Sequence, residues 1–226
     1  MQSLLGLLVF ACRVMPMGRV FSRRLSLATK GARHPEHRIR ISAQLRAYLR
    51  VWESFLVTYN GRTCWQASEV TNSEISLFTD AVGAHGFGAI FGSSWCADSW
   101  PHEWSASGLV KNLTLLELFP IVVSVELWGN LLANKRICFW TDNLGVVFAV
   151  NKLTSSSLPV LALLRHLVLR CLEWNIMFRA QHVPGVDNVI ADPLSRLDFQ
   201  VFRQRFPGAE LEGCRCPPHM WNLIHV

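Results

Sequence analysis

Two apolar runs in this chain end alike, Leu77-Phe-Thr-Asp80 and Phe139-Trp-Thr-Asp142. Each has the length of a strand, and a strand that ends in a carboxylate restricts what can lie beside it. Paired side by side, the two would bring their carboxylates together. Two unit charges about 4 Å apart repel by roughly 4 kcal/mol at an effective dielectric of 20. Such charge is relieved by protonation, by an Arg or Lys partner, or by a hard divalent cation. Two further acids stand in apolar frames, Leu115-Leu-Glu117-Leu-Phe and Val189-Ile-Ala-Asp192, and no basic residue adjoins any of the four, which favours a metal. Taken singly, each acid reads more simply as a helix cap or a surface carboxylate. The four in this order carry the argument.

The surrounding periodicity fixes the element order. Ile75 to Asp80 alternates, Phe87 to Phe91 follows a glycine-containing turn, and Ser94 to Trp104 is rich in aromatic residues, which predicts three strands in an antiparallel meander. Leu113 to Leu132 predicts a long, largely buried helix with Thr114-Leu-Leu-Glu117 as a capping box and with Pro120 bending or shifting its start. Arg136 to Asp142 predicts a central strand, Asn143 to Lys152 a helix with Asn143 as a plausible N-cap, and Pro159 to Glu173 a further helix. A strand from Ile176 to Gln181 and a short helix near Asp192 complete the order β-β-β-α-β-α-α-β-α, with Asp192 as N-cap and Pro193 at the first helical position.

Ahead of this lie two amphipathic stretches, Leu4 to Leu27 and Ile39 to Phe55, which predict a helical hairpin. Breaks fall at Lys30 to Pro35 and at Asn60-Gly61. Residues 1–70 hold 11 Lys and Arg against 3 Asp and Glu, whereas residues 71–226 hold 11 against 13. A basic arm beside a slightly acidic domain suits phosphate contact, and suits a solvated basic helix equally well. The expected domains are therefore residues 1–70, a basic helical connection; residues 71–198, the catalytic candidate; and residues 199–226, a tail whose order the sequence leaves open.

The seven cysteines are odd in number and lack an extracellular spacing, so the expected setting is intracellular, cytoplasmic or nuclear. Residues 1–12 have no basic residue ahead of their apolar run, which argues against a secretory signal. No uninterrupted apolar run reaches 18 residues, so no membrane partner is expected. Cys214-Arg-Cys216-Pro-Pro-His219 offers three possible zinc ligands at poor spacing, against a tail with incidental cysteines.

Thr79-Asp80-Ala with Gly86-Phe-Gly88-Ala, Leu116-Glu117-Leu, Trp140-Thr-Asp142-Asn143, and the run from His182-Val-Pro-Gly through Ala191-Asp192-Pro-Leu-Ser-Arg196 together resemble the ribonuclease H domain of retroelement reverse transcriptases. The likeness is nearest to DIRS-type retrotransposons, which encode a tyrosine recombinase. Residues 1–66 resemble the segment joining polymerase to ribonuclease H there, notably at Gln2-Ser-Leu-Leu-Gly6 and His37-Arg-Ile-Arg40. Single triplets are weak signals; four acids with the closing run are specific together. Val82 departs from the small polar residue usual in related sequences, and Pro120 and Pro193 fall close to two of the acids.

The resemblance implies an α/β fold with a ribonuclease H-like mixed five-stranded sheet, its first three strands antiparallel, flanked by helices and preceded by the basic hairpin. It also implies metal ligation by Asp80, Glu117, Asp142 and Asp192, with two Mg2+ ions for which Mn2+ substitutes, and a mobile-loop role for His182. The expected reaction is endonucleolytic cleavage of the RNA strand of RNA·DNA hybrids, with the polymerase part of the same element as a candidate partner. In two-metal hydrolysis one ion positions a hydroxide and the other stabilises the leaving oxygen. His182, ten positions before Asp192, would shuttle a proton, or else serve as a structural loop histidine. Gly86 and Gly88 would let a nucleic-acid strand approach the backbone, or simply make the turn, and Asn143 would contact the hybrid or cap its helix. Two alternatives stand beside this: an inactive element-derived domain that only binds nucleic acid, and another nuclease of the same fold. No Tyr-x-Asp-Asp polymerase signature is present.

Overall fold

A strand stays in a sheet only while its backbone groups are paired and its side chains alternate between two covered faces. In the computed structural model, which describes residues 1–14, 17–32, 34, 37–58 and 74–224, five strands meet this condition: β1 (Glu74–Val82), β2 (Gly86–Phe91), β3 (Ser94–Ser99), β4 (Arg136–Thr141) and β5 (Met177–His182). Their order across the sheet is β3-β2-β1-β4-β5. The first three are antiparallel neighbours, and β4 and β5 run parallel to β1. This is the mixed five-stranded sheet expected, its first three strands antiparallel.

The aromatic run after Ser94 does not stay in the sheet to Trp104. It leaves at Ser99, because Pro101 has no N–H to offer a ladder, and continues into α4 (His102–Ala106). Trp100 and Trp104 stack at 5.5 Å, and both meet Phe119 from above the sheet.

Phe119 belongs to α5 (Leu113–Leu132), which is buried along most of its length against β1, β2 and β4. Its length and apolarity would suffice to cross a bilayer, yet most of it is buried inside this protein. The start of α5 differs from the capping box predicted. Asn112 is the N-cap, its Oδ1 accepting from the Leu115 N–H at 3.2 Å, which leaves the Glu117 carboxyl uncommitted to the helix end. The helix also runs unbroken through Pro120. Pro120 cannot donate to the Leu116 carbonyl, but burial of Leu115, Leu118, Phe119, Ile121 and Val122 around it outweighs the lost bond.

α6 (Leu144–Lys152) and α7 (Leu158–Glu173) follow β4, and α7 packs on α5. Asn151, near the end of α6, both donates to the Ala180 carbonyl at 2.8 Å and accepts from the Ala180 N–H at 2.9 Å, so it finishes the outer edge of β5. The second face of the sheet is covered by α8 (Ala191–Ser195) and α9 (Phe199–Arg205), through a cluster of Ile90, Trp95, Ala97, Leu194, Phe202 and Ala209. Alternation along β2 sends Phe87 to α5 and Gly88 to α8. A Cβ at Gly88 would lie 2.3 Å from that of Leu194 and 2.9 Å from the Ser195 nitrogen, and one at Gly86 would lie 2.1 Å from the Asp98 carbonyl oxygen. Both glycines therefore serve protein packing, and the close approach expected of a nucleic-acid strand is taken by α8 and β3.

Residues 199–224 are built into this unit. The backbones of Cys214 and Cys96, both free thiols, form a single parallel β-bridge, Trp95 donates from Nε1 to the Glu210 carbonyl at 2.8 Å, and Trp221 stacks on Phe119 at 4.9 Å. His219 reaches Glu126 of α5, away from the cysteines, so the zinc-ligand types of the tail do not converge. Glu126 also takes Arg170 on both oxygens, at 2.7 and 2.8 Å, and His166 at 2.9 Å. Burial alone would raise the Glu126 carboxyl, but these donors hold it at about 2.

The other unit contains α1 (Gln2–Ala11), α2 (Gly18–Thr29) and α3 (Ala43–Thr58). The expected hairpin is thus three helices: the first amphipathic run is divided where the sequence carries Pro16 and Gly18, a proline and glycine pair that disfavours helix continuation. Gly18 accepts the Trp52 ring, which a Cβ would meet at 2.4 Å, and Phe21 meets Tyr48 edge-on at 6.0 Å. Arg19, Arg46 and Arg50 face solvent. The Asn60-Gly61 turn and the boundary at residues 70 and 71 lie outside the described residues.

Two outcomes follow from this packing. Gly88→Val should unseat α8 and lower stability by about 2 kcal/mol or more, as overpacking does, whereas Gly92→Ala, with open space around it, should cost no more than the strain of its positive φ; urea melts of both compare them. Glu126 is ionised in the folded state down to a lower pH than in the unfolded chain, so its contribution is present above the ordinary carboxyl value and is lost as pH falls toward 2. Glu126→Gln should melt lower than wild type at pH 7, by about 2 kcal/mol, with the gap closing in acid. A gap independent of pH would remove the ion pair as its cause.

Candidate metal centre

The pairing of β1 with β4 sets Phe78 opposite Trp140, so Asp80 and Asp142, each two residues further on, lie at the same level; Asp142 follows the last residue of β4, whereas β1 runs on to Val82 with Asp80 paired to Gly88, so Asp80 does not end its strand as expected. α5 starts at this end of the sheet and contributes Glu117. One oxygen from each of Asp80, Glu117 and Asp142 lies within 4.8 Å of the other two. Three of the four predicted acids are thereby brought together by strand register and one helix.

Their surroundings are unequal. Asp80 and Glu117 are each 7% exposed, and Asp142 is open to solvent. Burial, joined by the Asp142 and Asp192 charges, lifts the Asp80 carboxyl to about 6 against a hydrogen bond from the Ser195 hydroxyl. Glu117 is pushed up to about 9, first by burial and then by the Asp80 and Asp142 carboxylates. The Ala81 main-chain N–H donates to Glu117, but its Oε2 is buried without any hydrogen-bond partner. A buried acceptor left bare costs about 1–3 kcal/mol, more when charged. An all-oxygen donor set with one unsatisfied oxygen suits a hard divalent cation.

Asp192 lines the same cleft, with Asp80, Glu117, Asp142, Gly185, Val186 and Arg196 among its neighbours, but it stands outside the three-acid cluster. It is the second residue of α8, whose N-cap is Ile190, so Pro193 occupies the third helical position. The sequence placed no base next to Asp192; the helix does, because Arg196 one turn later donates from Nε to Asp192 Oδ1 at 2.8 Å.

His182 is the last residue of β5 and not part of a loop. It donates from Nε2 to the Asp142 carbonyl oxygen at 3.1 Å and does not line the cleft. Asn143 caps α6, its Oδ1 accepting from the Val146 N–H at 3.1 Å, which is the simpler of its two readings.

Sequence reasoning missed three residues that shape the site. Ser195 donates to Asp80 and Arg196 pairs with Asp192, while Asn188 donates from Nδ2 to the Thr79 carbonyl at 2.9 Å and ties the β5–α8 connection to β1 just before Asp80. For Ser195 and Arg196 the signal was spacing, since positions three and four after Asp192 share its helix face; nothing local marked Asn188.

No protein-family model and no curated protein matches this sequence. Among solved structures the chain is similar to the ribonuclease H1 of the halophilic archaeon Halobacterium salinarum NRC-1, at 15% identity and a TM-score of 0.41, over 56% of this chain and 99% of that one.

Proposed function

We propose that this chain is a metal-dependent endonuclease that cuts the RNA strand of RNA·DNA hybrids, as the ribonuclease H part of a retrotransposon reverse transcriptase. The observation that carries the reading is the Asp80, Glu117 and Asp142 cluster with its bare, buried Glu117 oxygen. The sequence motifs around these acids supply the substrate class and the retroelement setting.

Asp80, Glu117 and Asp142 would hold a first cation, and Asp192 would join Asp80 or Asp142 around a second. Bound Mg2+, or Mn2+ in its place, supplies Lewis-acid activation of water and neutralises charge developing on the phosphate. The protein supplies the positioning. Ser195 and Asn188 fix Asp80 and the strand end before it, and His182 holds the Asp142 main chain, so the carboxylates are oriented before substrate arrives. Burial around Glu117 keeps bulk water from competing for its oxygen. The open side of Asp142 admits the phosphate backbone. The basic residues of α2 and α3 would track the duplex, without sequence preference.

With an end-labelled RNA·DNA hybrid, internal RNA cuts should require Mg2+ and vanish in EDTA. Asp142→Asn and Asp80→Asn should lower turnover by at least a hundredfold. Removing a crowded charge relieves repulsion, so in EDTA at pH 7 Asp142→Asn and Asp80→Asn should melt roughly 2–4 °C above wild type, whereas Glu117→Gln, which replaces a carboxyl already protonated at that pH, should melt near wild type, and all three should lose the rise in Tm that Mg2+ gives. Hybrid binding by a folded wild-type protein that never cuts would point instead to a binding domain without catalysis, and release of mononucleotides from DNA ends to another nuclease of this fold.

A further inference from the structure

Asp192 and the three clustered acids share a cleft, yet Asp192 is not free to serve as a ligand. Its Oδ1 accepts from Arg196 Nε at 2.8 Å, and the two side chains are 37% and 54% exposed respectively. Neither is locked by packing, and an ion pair this open is weak. Arg196 is close enough for its charge to reach Asp80 as well. On the inner side of the same cleft, Glu117 Oε2 is buried and has no partner. One end of the cleft therefore lacks a cation, and the other end already has one supplied by the chain itself.

We propose that Arg196 is a built-in counter-ion that holds the fourth carboxylate until a second divalent cation displaces it, so that the two cation positions fill in a set order, Asp80, Glu117 and Asp142 first. This rests on the metal-centre reading above and adds its regulation. Release of the pair leaves the Arg196 guanidinium at the rim of the cleft, where Arg205 is held by the Val189 carbonyl at 2.9 Å. A planar guanidinium there matches a phosphate oxygen pair. Filling the second position and receiving the substrate phosphate thus become one exchange: Asp192 passes from arginine to metal as the arginine passes to phosphate. Asp192 precedes Arg196 by four residues on one helix face, so the resting pair forms without any contribution from elsewhere.

The test is Mn2+ binding by the full chain without nucleic acid, followed as loss of the free-ion electron paramagnetic resonance signal. Wild type should bind one ion more tightly than a second. Arg196→Ala should tighten the second ion by up to about fivefold, the range expected from removing an exposed ion pair, and leave the first unchanged. Arg196→Lys should fall between, and Asp192→Asn should abolish the second ion alone. Persistence of the first ion reports that each variant is folded; should Arg196→Ala lose it, Arg196→Lys decides by the same criterion. Unchanged second-ion affinity in the arginine variants, with the first ion still bound, overturns the role of Arg196 and leaves the metal centre standing. Failure of wild type to bind Mn2+ at all overturns the metal centre and this proposal with it.

Discussion

The parallel pairing of β1 with β4 is the constraint from which the rest is built. Two strands adjacent in space but separated by two further strands and a long helix in sequence cannot be joined by a turn. The chain must go out through β2 and β3 and return through α5 before β4 can be laid down. That path puts α5 across the sheet and brings its first turns to the end where β1 and β4 terminate. Glu117 is therefore delivered to Asp80 and Asp142 by the same connection that makes the parallel pairing possible. Thr79, whose hydroxyl donates to the Trp140 carbonyl, helps hold the two strand ends at one level.

Bringing three carboxylates together works against stability, and the surroundings offset only part of it. Asp80 receives the Ser195 hydroxyl, and the strand before it is held by Asn188. Glu117 receives the Ala81 N–H on one side and nothing on the other. The unrelieved part is tolerated because the hydrophobic layers are nearly complete: α5 is buried on the sheet, α7 is buried on α5, and Glu126 binds them through Arg170 and His166. Local frustration beside a well-satisfied core is the arrangement expected when a group's task is to meet something that arrives from outside.

The strands and the acids were legible in the sequence because each signal is local. An apolar run followed by Asp reads the same whatever lies beside it, although β1 continues past Asp80 to Val82, and Asn143 before an apolar helical run proved to be a cap. What could not be read is what depends on distant partners. The capping of α5 was ambiguous because Asn112 and Thr114 are both capable residues, and the structure uses Asn112. Pro120 looked disruptive because its isolated cost is visible in sequence while the burial that offsets it is not. Gly86 and Gly88 looked like ligand contacts because a glycine shows that something comes close, not what; here it is Asp98 and α8. Division of the first basic stretch into two helices was signalled by Pro16 and Gly18, but periodicity across them hid the break.

The tail shows most clearly how the site depends on remote packing. α8 is only five residues long and carries both Asp192 and Ser195, so its own hydrogen bonds cannot fix it. Its place is set from below by the missing side chain of Gly88 and from above by Leu194 meeting Phe202 and Trp95. Phe202 and Trp95 are held in turn by residues 209–216, through Glu210, Cys214 and the ring of Arg203 contacts. A segment that carries none of the clustered acids thus shares with β1 and β2 the support of the fourth carboxylate. The three inner acids are placed by the sheet and its central helix, whereas the fourth rides on a five-residue helix held between the sheet and the C-terminal segment, and this difference in support is why it can remain at the rim in the company of an arginine.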